Sequence, residues 1–233
     1  MKIKSILVAS LLIISVACKK EENKGATLTT ETQPSASNKI NLENTLVAKL
    51  PEKTLGFYYN DFNSEGFKKA INTSMAKSSS NSFSALMQSE DNQFVKVLNK
   101  AGIKIDTLED VAAILDSYVV FVAEKAVADP KVPVDLGSIL KFKDAAKLKS
   151  LMAAFKEELK ASAKPFEELK IENADAISAT LNPNSTPFIA VKDNLAVITM
   201  TKEALDKVLN YVNSVPEIVS SETFAKAIGN YSS

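Results

Sequence analysis

The sequence predicts an α+β domain, a mainly antiparallel sheet covered on one side by amphipathic helices. Hairpins outnumber crossovers. At residues 187–199 two β-prone runs flank Asp193-Asn194, a pair suited to the positive φ of a tight turn. The clearest helical stretch is apolar on one face only, with Ala145, Leu148, Leu151, Met152, Phe155 and Leu159 at spacings of three and four. Residues 46–233 are enough chain for one sizeable core.

The elements follow in order. Residues 54–59 (TLGFYY) are aromatic and β-prone, and Asn60-Asp61 ends them. Ser64 is placed to cap a helix with Glu65 in its first turn and Phe67, Ala70 and Ile71 on one face. The low-complexity run at 78–84 reads as a loop. A helix beginning at Ser82 or Asn92 carries Phe94, Val95 and Leu98 and stops at Gly102. Asp106 with Glu109 three residues on forms a capping box for a short helix over 108–115. Residues 117–123 (SYVVFVA) form the strongest strand, apolar on both faces and so central and covered. Pro130 and Pro133 mark a loop, and 135–142 return as a strand.

Asp144 caps the long helix, whose Lys147, Lys149, Lys156 and Lys160 fall mostly on the polar side. Such a stripe belongs against a sheet rather than on a membrane surface. Residues 169–181 hold alternating strand signals, and Asn182-Pro183-Asn184-Ser185 is a turn. Thr201 caps a helix with Leu205, Val208, Leu209 and Val212, which Pro216 breaks. Ser220 or Ser221 caps a last short helix over 222–228 that ends at Gly229.

Composition narrows the chemistry. The chain has 233 residues, 28 basic and 28 acidic, with no histidine and no tryptophan, and every basic residue is lysine. Near-neutral charge gives no footprint for nucleic acid. Without histidine, the side chain suited to proton transfer near neutral pH is missing, as are imidazole metal sites. Ser-His-Asp and Cys-His catalysis cannot be assembled. Without arginine, bidentate clamps on carboxylate or phosphate are missing too.

Carboxylate-only chemistry remains possible, and the acidic clusters are its candidates. Glu52, Asp61 and Glu65 gather near the end of the first strand, and Asp106, Glu109, Asp110 and Asp116 around the short helix. Neither has the D-x-D-x-D-G spacing of a calcium loop, and helix caps explain them better. Glu157-Glu158 and Glu167-Glu168 are sequence neighbours, a poor arrangement for a catalytic dyad. Phe57, Tyr58 and Tyr59 would line a groove only in part, since alternation sends one of them to the core. No glycine-rich phosphate loop exists. The reading is of no catalytic residue, no metal and no cofactor.

The amino terminus reads MKIKSILVASLLIISVAC: Lys2 and Lys4, an apolar run, then Ser15-Val16-Ala17 and the only cysteine, Cys18. The run falls short of the roughly 20 apolar residues of a membrane span. It resembles the signal of bacterial lipoproteins, which implies cleavage between Ala17 and Cys18 and a palmitate-type lipid on the Cys18 thiol. Ser15 stands where that family usually has leucine. Several acyl chains, at about 0.8 kcal/mol per buried methylene, would anchor the chain stably. Residues 1–17 are then the signal peptide, 18–45 a polar flexible tether and 46–233 the domain. Lys19-Lys20-Glu21-Glu22 is similar to a surface-export signal of some Bacteroidota lipoproteins.

The domain itself resembles a bacterial envelope family of unknown function. The resemblance rests on Leu50-Pro51-Glu52-Lys53-Thr54, on residues 108–122, on Phe188 to Thr199 as FIAVKDNLAVIT, and on Ser221-Glu222-Thr223-Phe224-Ala225-Lys226. Members are often about twice as long, so the resemblance implies either a single-unit form or a truncated one in which 216–233 would start a second unit. The resemblance implies a fold and a location, the cell envelope and most simply the outer membrane. The functional expectation is a lipid-anchored, non-enzymatic interaction or structural module. The alternative is a carrier of a small apolar or lipid-like ligand. Partners would be the membrane through the lipid, and an envelope protein or that ligand.

Overall fold

The structure, a computed structural model, describes residues 45–71, 87, 92–124, 134–181 and 185–210. Ala17, Cys18, the signal, the tether up to residue 44, the 78–84 run, the two-proline loop, Val212 and the last predicted helix lie outside the described residues.

A 3₁₀ turn, Leu46–Lys49, opens the described chain, with the Thr45 hydroxyl accepting from the Val47 amide at 3.2 Å. Strand β1 (Thr54–Asp61) follows, then helices α1 (Glu65–Ile71), α2 (Gln93–Lys100) and α3 (Leu108–Ile114). Strands β2 (Leu115–Glu124) and β3 (Val134–Phe142) precede the long helix α4 (Ala145–Ala161). Strands β4 (Phe166–Ile171), β5 (Ala174–Ala179), β6 (Phe188–Lys192) and β7 (Leu195–Thr199) lead to α5 (Lys202–Asn210).

Most expected caps are in place. Asn92 caps α2, Asp144 caps α4 and Ser64 accepts from the Phe67 amide. The capping box of α3 sits one residue later than expected. Thr107 is the cap, and the Asp110 carboxylate accepts from the amides of both Asp106 and Thr107 at 2.9 Å. Asn60 and Asp61 continue β1 rather than ending it, because both still pair with β2. Two helices end in the same reversal. Gly102 (φ 69°) follows α2 and Ala163 (φ 50°) follows α4, and each next amide reaches back, Ile103 to the Leu98 carbonyl and Lys164 to Leu159.

The seven strands form one antiparallel sheet in the order β1-β2-β3-β7-β6-β5-β4. It is two meanders joined at a β3–β7 seam, where Ile139 faces Val197. Helix α4 carries the chain from that seam to the far edge, so β3 and β4 run in the same direction with three strands between them.

The helices cover both sides of the sheet, which corrects the one-sided layer expected. Neighbouring residues of a strand fall into opposite cores, as alternation requires. Val119, Phe121, Ile139, Ala190 and Val197 meet Leu46, Val47 and Leu50 of the 3₁₀ segment and Leu205 and Val208 of α5. On the other face, Tyr118, Phe142, Ile177 and Val191 meet Val111 of α3 and Leu148, Met152 and Leu159 of α4. Helix α2 packs on α4 through a small third cluster that includes Leu98 and Ile103. The two-sided apolar run at 117–123 required a layer on each face. The short LVAKL segment supplies part of one of them without any readable helical period.

Candidate functional site

At one end of the sheet the first face changes from apolar to polar within a single step. The row Tyr59, Val119, Ile139 and Val197 is core. The next row of that face reads Asp61, Ser117, Lys141, Leu195 and Lys192, each residue opposite the next across neighbouring strands. Above it lies an open cleft of about 380 Å³. Thr45, Leu46 and Lys49 form one wall, the strand residues the floor, and Asp193 and Asn194 of the β6–β7 turn the opposite rim.

Local geometry builds this floor. Asp193 takes φ 53°, which lets the turn close. Asn194 then locks that turn to the end of β3. Its side-chain amide donates to the Phe142 carbonyl at 3.0 Å, and the Phe142 amide donates to the Asn194 carbonyl at 2.8 Å. Asp116 is the extra residue of a bulge in β2, where the pairing with β3 shifts between Leu115 and Ser117. A bulge re-aims a side chain. Here the carboxylate meets Lys141 Nζ at 2.6 Å and accepts from Asn63 Nδ2 at 2.6 Å.

Charge in the cleft is settled by these contacts. The Lys141 ammonium holds the Asp116 carboxyl below the ordinary carboxylate range. Partial burial opposes that shift, and the Asn63 amide reinforces it. Burial pushes the Tyr59 phenol above its ordinary value, and the Asp61 charge adds to this, while a hydrogen bond with Ser117 offsets part of it. At neutral pH the site therefore presents an ionised carboxylate, its ammonium partner and a protonated phenol. Neither Asp116 nor Tyr59 is brought towards neutrality, where proton transfer is efficient. Among the described residues no group of three or more His, Cys, Asp or Glu side chains is disposed to hold a metal ion.

The acidic clusters singled out in the sequence are dispersed. Asp61 accepts the Asn63 amide at 2.8 Å and borders the cleft, Glu65 pairs with Lys68 on the surface, and Glu52 is exposed. Asp110 is the capping carboxylate of α3, kept ionised first by the Asp106 amide, and Asp106 pairs with Lys104 at 2.9 Å. Only Asp116 of that group reaches the cleft. Glu158 ties α4 to α2 through Lys100 at 2.7 Å, and Glu168 shares Lys156 with Asp175. Phe57 and Tyr59 pack on the first face, whereas Tyr58 turns to the second, 5.9 Å from the Tyr118 ring.

Ser117, Lys141, Asp193 and Asn194 also line the cleft, although sequence pattern marks them only as strand and turn residues. Lys141 carries a readable signal, a cation between Leu140 and Phe142. A second cleft, about 340 Å³, lies beside α2. It is lined by Met87, Val95, Leu98, Ile103 and Ile105, with Lys96, Lys104 and Asp106 among its polar residues. Asp135 is buried, with one carboxylate oxygen accepting from the Thr201 hydroxyl at 2.9 Å and the other unpartnered among the described residues.

No helix among the described residues is long and apolar enough to cross a membrane. No protein-family model matches this chain, and no curated protein and no solved structure matches it.

Proposed function

We propose that this chain is a bacterial envelope lipoprotein, lipidated at Cys18 after cleavage behind Ala17. Its α+β domain is a non-catalytic binding module that engages an envelope partner through the polar cleft. One observation carries the reading: the centre of the cleft floor is a paired charge, the Asp116 carboxylate meeting Lys141 Nζ and Asn63 Nδ2 each at 2.6 Å. Asp116 is ionised against Lys141 and Asn63, and Tyr59 is a neutral phenol. Such a floor suits recognition by hydrogen bonds and charge, and it lacks a base or acid poised for turnover. The outer membrane is the proposed site, and the tether would hold the domain away from it.

The test is crosslinking in the native host, comparing the wild type with Cys18→Ser and with Lys141→Ala. A defined envelope protein should be captured by the wild type and lost with Lys141→Ala. Substrate turnover by the purified protein that disappears with a single carboxylate change would sink this reading.

A second reading, carriage of a small apolar ligand, is favoured by the cleft beside α2, whose lining includes Met87, Val95, Leu98, Ile103 and Ile105. Native mass spectrometry of protein isolated from its host separates the two. A co-purifying apolar molecule, lost when Val95 is replaced by Asp, supports the carrier.

A further inference from the structure

The charged side chains of the polar cleft are not equally engaged. On the floor, Asp116 and Lys141 hold each other at 2.6 Å, and Asp61 keeps one oxygen on the Asn63 amide. Lys192, further along the same row, donates to the Leu209 carbonyl at 3.4 Å. Lys49 on one wall and Asp193 on the opposite rim differ. Neither has an ion pair or a side-chain hydrogen bond among the described residues, and they do not pair with each other. The cleft thus keeps two uncommitted charges of opposite sign apart across an open space of about 380 Å³.

The backbone fixes the place of both. In the segment LVAKL, Leu46, Val47, Ala48 and Leu50 are buried, and Lys49 alone is not. Its Cα is therefore set by a plug that cannot shift without uncovering the core. Asp193 sits at φ 53° in a turn that Asn194 locks to Phe142 by two hydrogen bonds. Charges on such fixed supports are ready for a partner without reorganisation of the backbone. A partner of one sign would suit only one side. A cation would be repelled by Lys49, and an anion by Asp193 and Asp61. A phosphate fits poorly too, since the lining sets three carboxylates (Asp61, Asp116, Asp193) against two ammoniums (Lys49, Lys141) and has no arginine.

We propose that the cleft receives a polypeptide segment of mixed charge, its basic side chain on Asp193 and its acidic side chain on Lys49, which rests on the cleft being the partner-binding site. Complementary charge on each side fixes the direction in which the segment lies and rejects segments of a single sign. Leu46 and Leu195 also line the cleft, and they suit the aliphatic stems of long charged side chains. The surplus carboxylate, Asp61, makes the basic end the better held of the two. The Asp116–Lys141 pair between the walls is already neutralised, so it lies under the segment without demanding a charge from it.

The test uses the isotope-labelled full chain carrying Cys18→Ser and follows the amide resonances of Ser117 and Asn194. The probes are end-blocked tripeptides at equal concentration: Lys-Gly-Glu and its reverse, Lys-Gly-Lys, and Glu-Gly-Glu. A mixed peptide should shift both resonances most. Lys49→Glu and Asp193→Lys should each raise the concentration needed for half that shift roughly fivefold, the size of one exposed pair turned from attraction to repulsion. A purely cationic occupant would instead bind Lys49→Glu more tightly, and a purely anionic one Asp193→Lys. A stronger response to either single-sign peptide, a mixed-peptide response that survives both reversals, or no response to any peptide overturns the proposal. If the peptides fail while crosslinking in the host still captures an envelope protein that Lys141→Ala loses, the partner-binding reading stands and only the mixed-charge segment falls.

Discussion

The two faces of the sheet reach the same dryness by different means. One is roofed by α4, a helix of 17 residues whose apolar stripe includes Leu148, Met152 and Leu159. The other is roofed by α5 and by the four-residue 3₁₀ turn with Leu50 behind it, where Leu46, Val47, Ala48 and Leu50 are all at most 2% exposed. A long helix spends half its surface on solvent, and its periodicity announces it. A short plug is inside almost whole, and it has no period to announce. Burial per residue, rather than element length, sets what each roof contributes.

The sharpest way to break this comparison is to truncate one leucine in each roof. Leu50→Ala should cost about 2–5 kcal/mol, as much as Leu148→Ala, although its element is a quarter as long. Urea denaturation of both variants decides it. A Leu50→Ala loss below about 1 kcal/mol would mean that the plug is an ornament.

A smaller effect is expected at Gly137, where the first face leaves room for an aromatic ring rather than for a side chain of its own. A Cβ there would collide with the ring edge of Phe121, whose Cε1 would be 2.7 Å away, and Phe121 is fully buried. Gly137→Ala should cost about 1–3 kcal/mol by overpacking, read as a lowered melting temperature. Wild-type stability in that variant would show that the ring can yield.

Acid should act at the polar end of the first face and spare its apolar centre. Asp116 is held below its ordinary value, so its contribution is present above the unfolded carboxyl pKa of about 3.9 and is lost as pH falls through the folded value. Asp116→Asn should therefore be less stable than wild type at neutral pH, and the two should converge in acid. A constant gap from pH 7 down to acid would assign the loss to geometry rather than to charge.

The smallest change is a gain, at the end of the long roof. Ala163 holds a left-handed conformation that Gly102 adopts without strain at the end of α2. Ala163→Gly should add about 1 kcal/mol. Calorimetry reads the shift, and no gain would mean that the extra freedom of glycine in the unfolded chain cancels the relief.

Much of this architecture was legible. Ser64, Asn92 and Asp144 cap helices because a short polar side chain before an amphipathic run has little else to do there. The 187–199 hairpin follows from Asp193-Asn194 between two apolar runs. The capping box slipped by one because Asp106 and Thr107 are both good caps, and the reach of Asp110 decided between them. The second roof was not legible, since LVAKL carries no period and its burial comes from β2, far along the chain. The cleft was legible only in fragments. Asp61, Tyr59 and Asp116 stand out in the sequence, but the row joining Asp61 to Ser117, Lys141 and Leu195 depends on strand register. That register includes a bulge at Asp116, and a single sequence does not reveal it.

The 3₁₀ plug also fixes an order of events. Its landing site includes Val119, Phe121 and Ala123, some 70 residues downstream, on a strand that is itself flanked by β1 and β3. A chain that emerges amino end first therefore presents Leu46, Val47 and Leu50 to solvent long before anything can receive them. Their burial waits at least on β2. Until β2 arrives, these apolar residues are open to chaperones and to neighbouring chains.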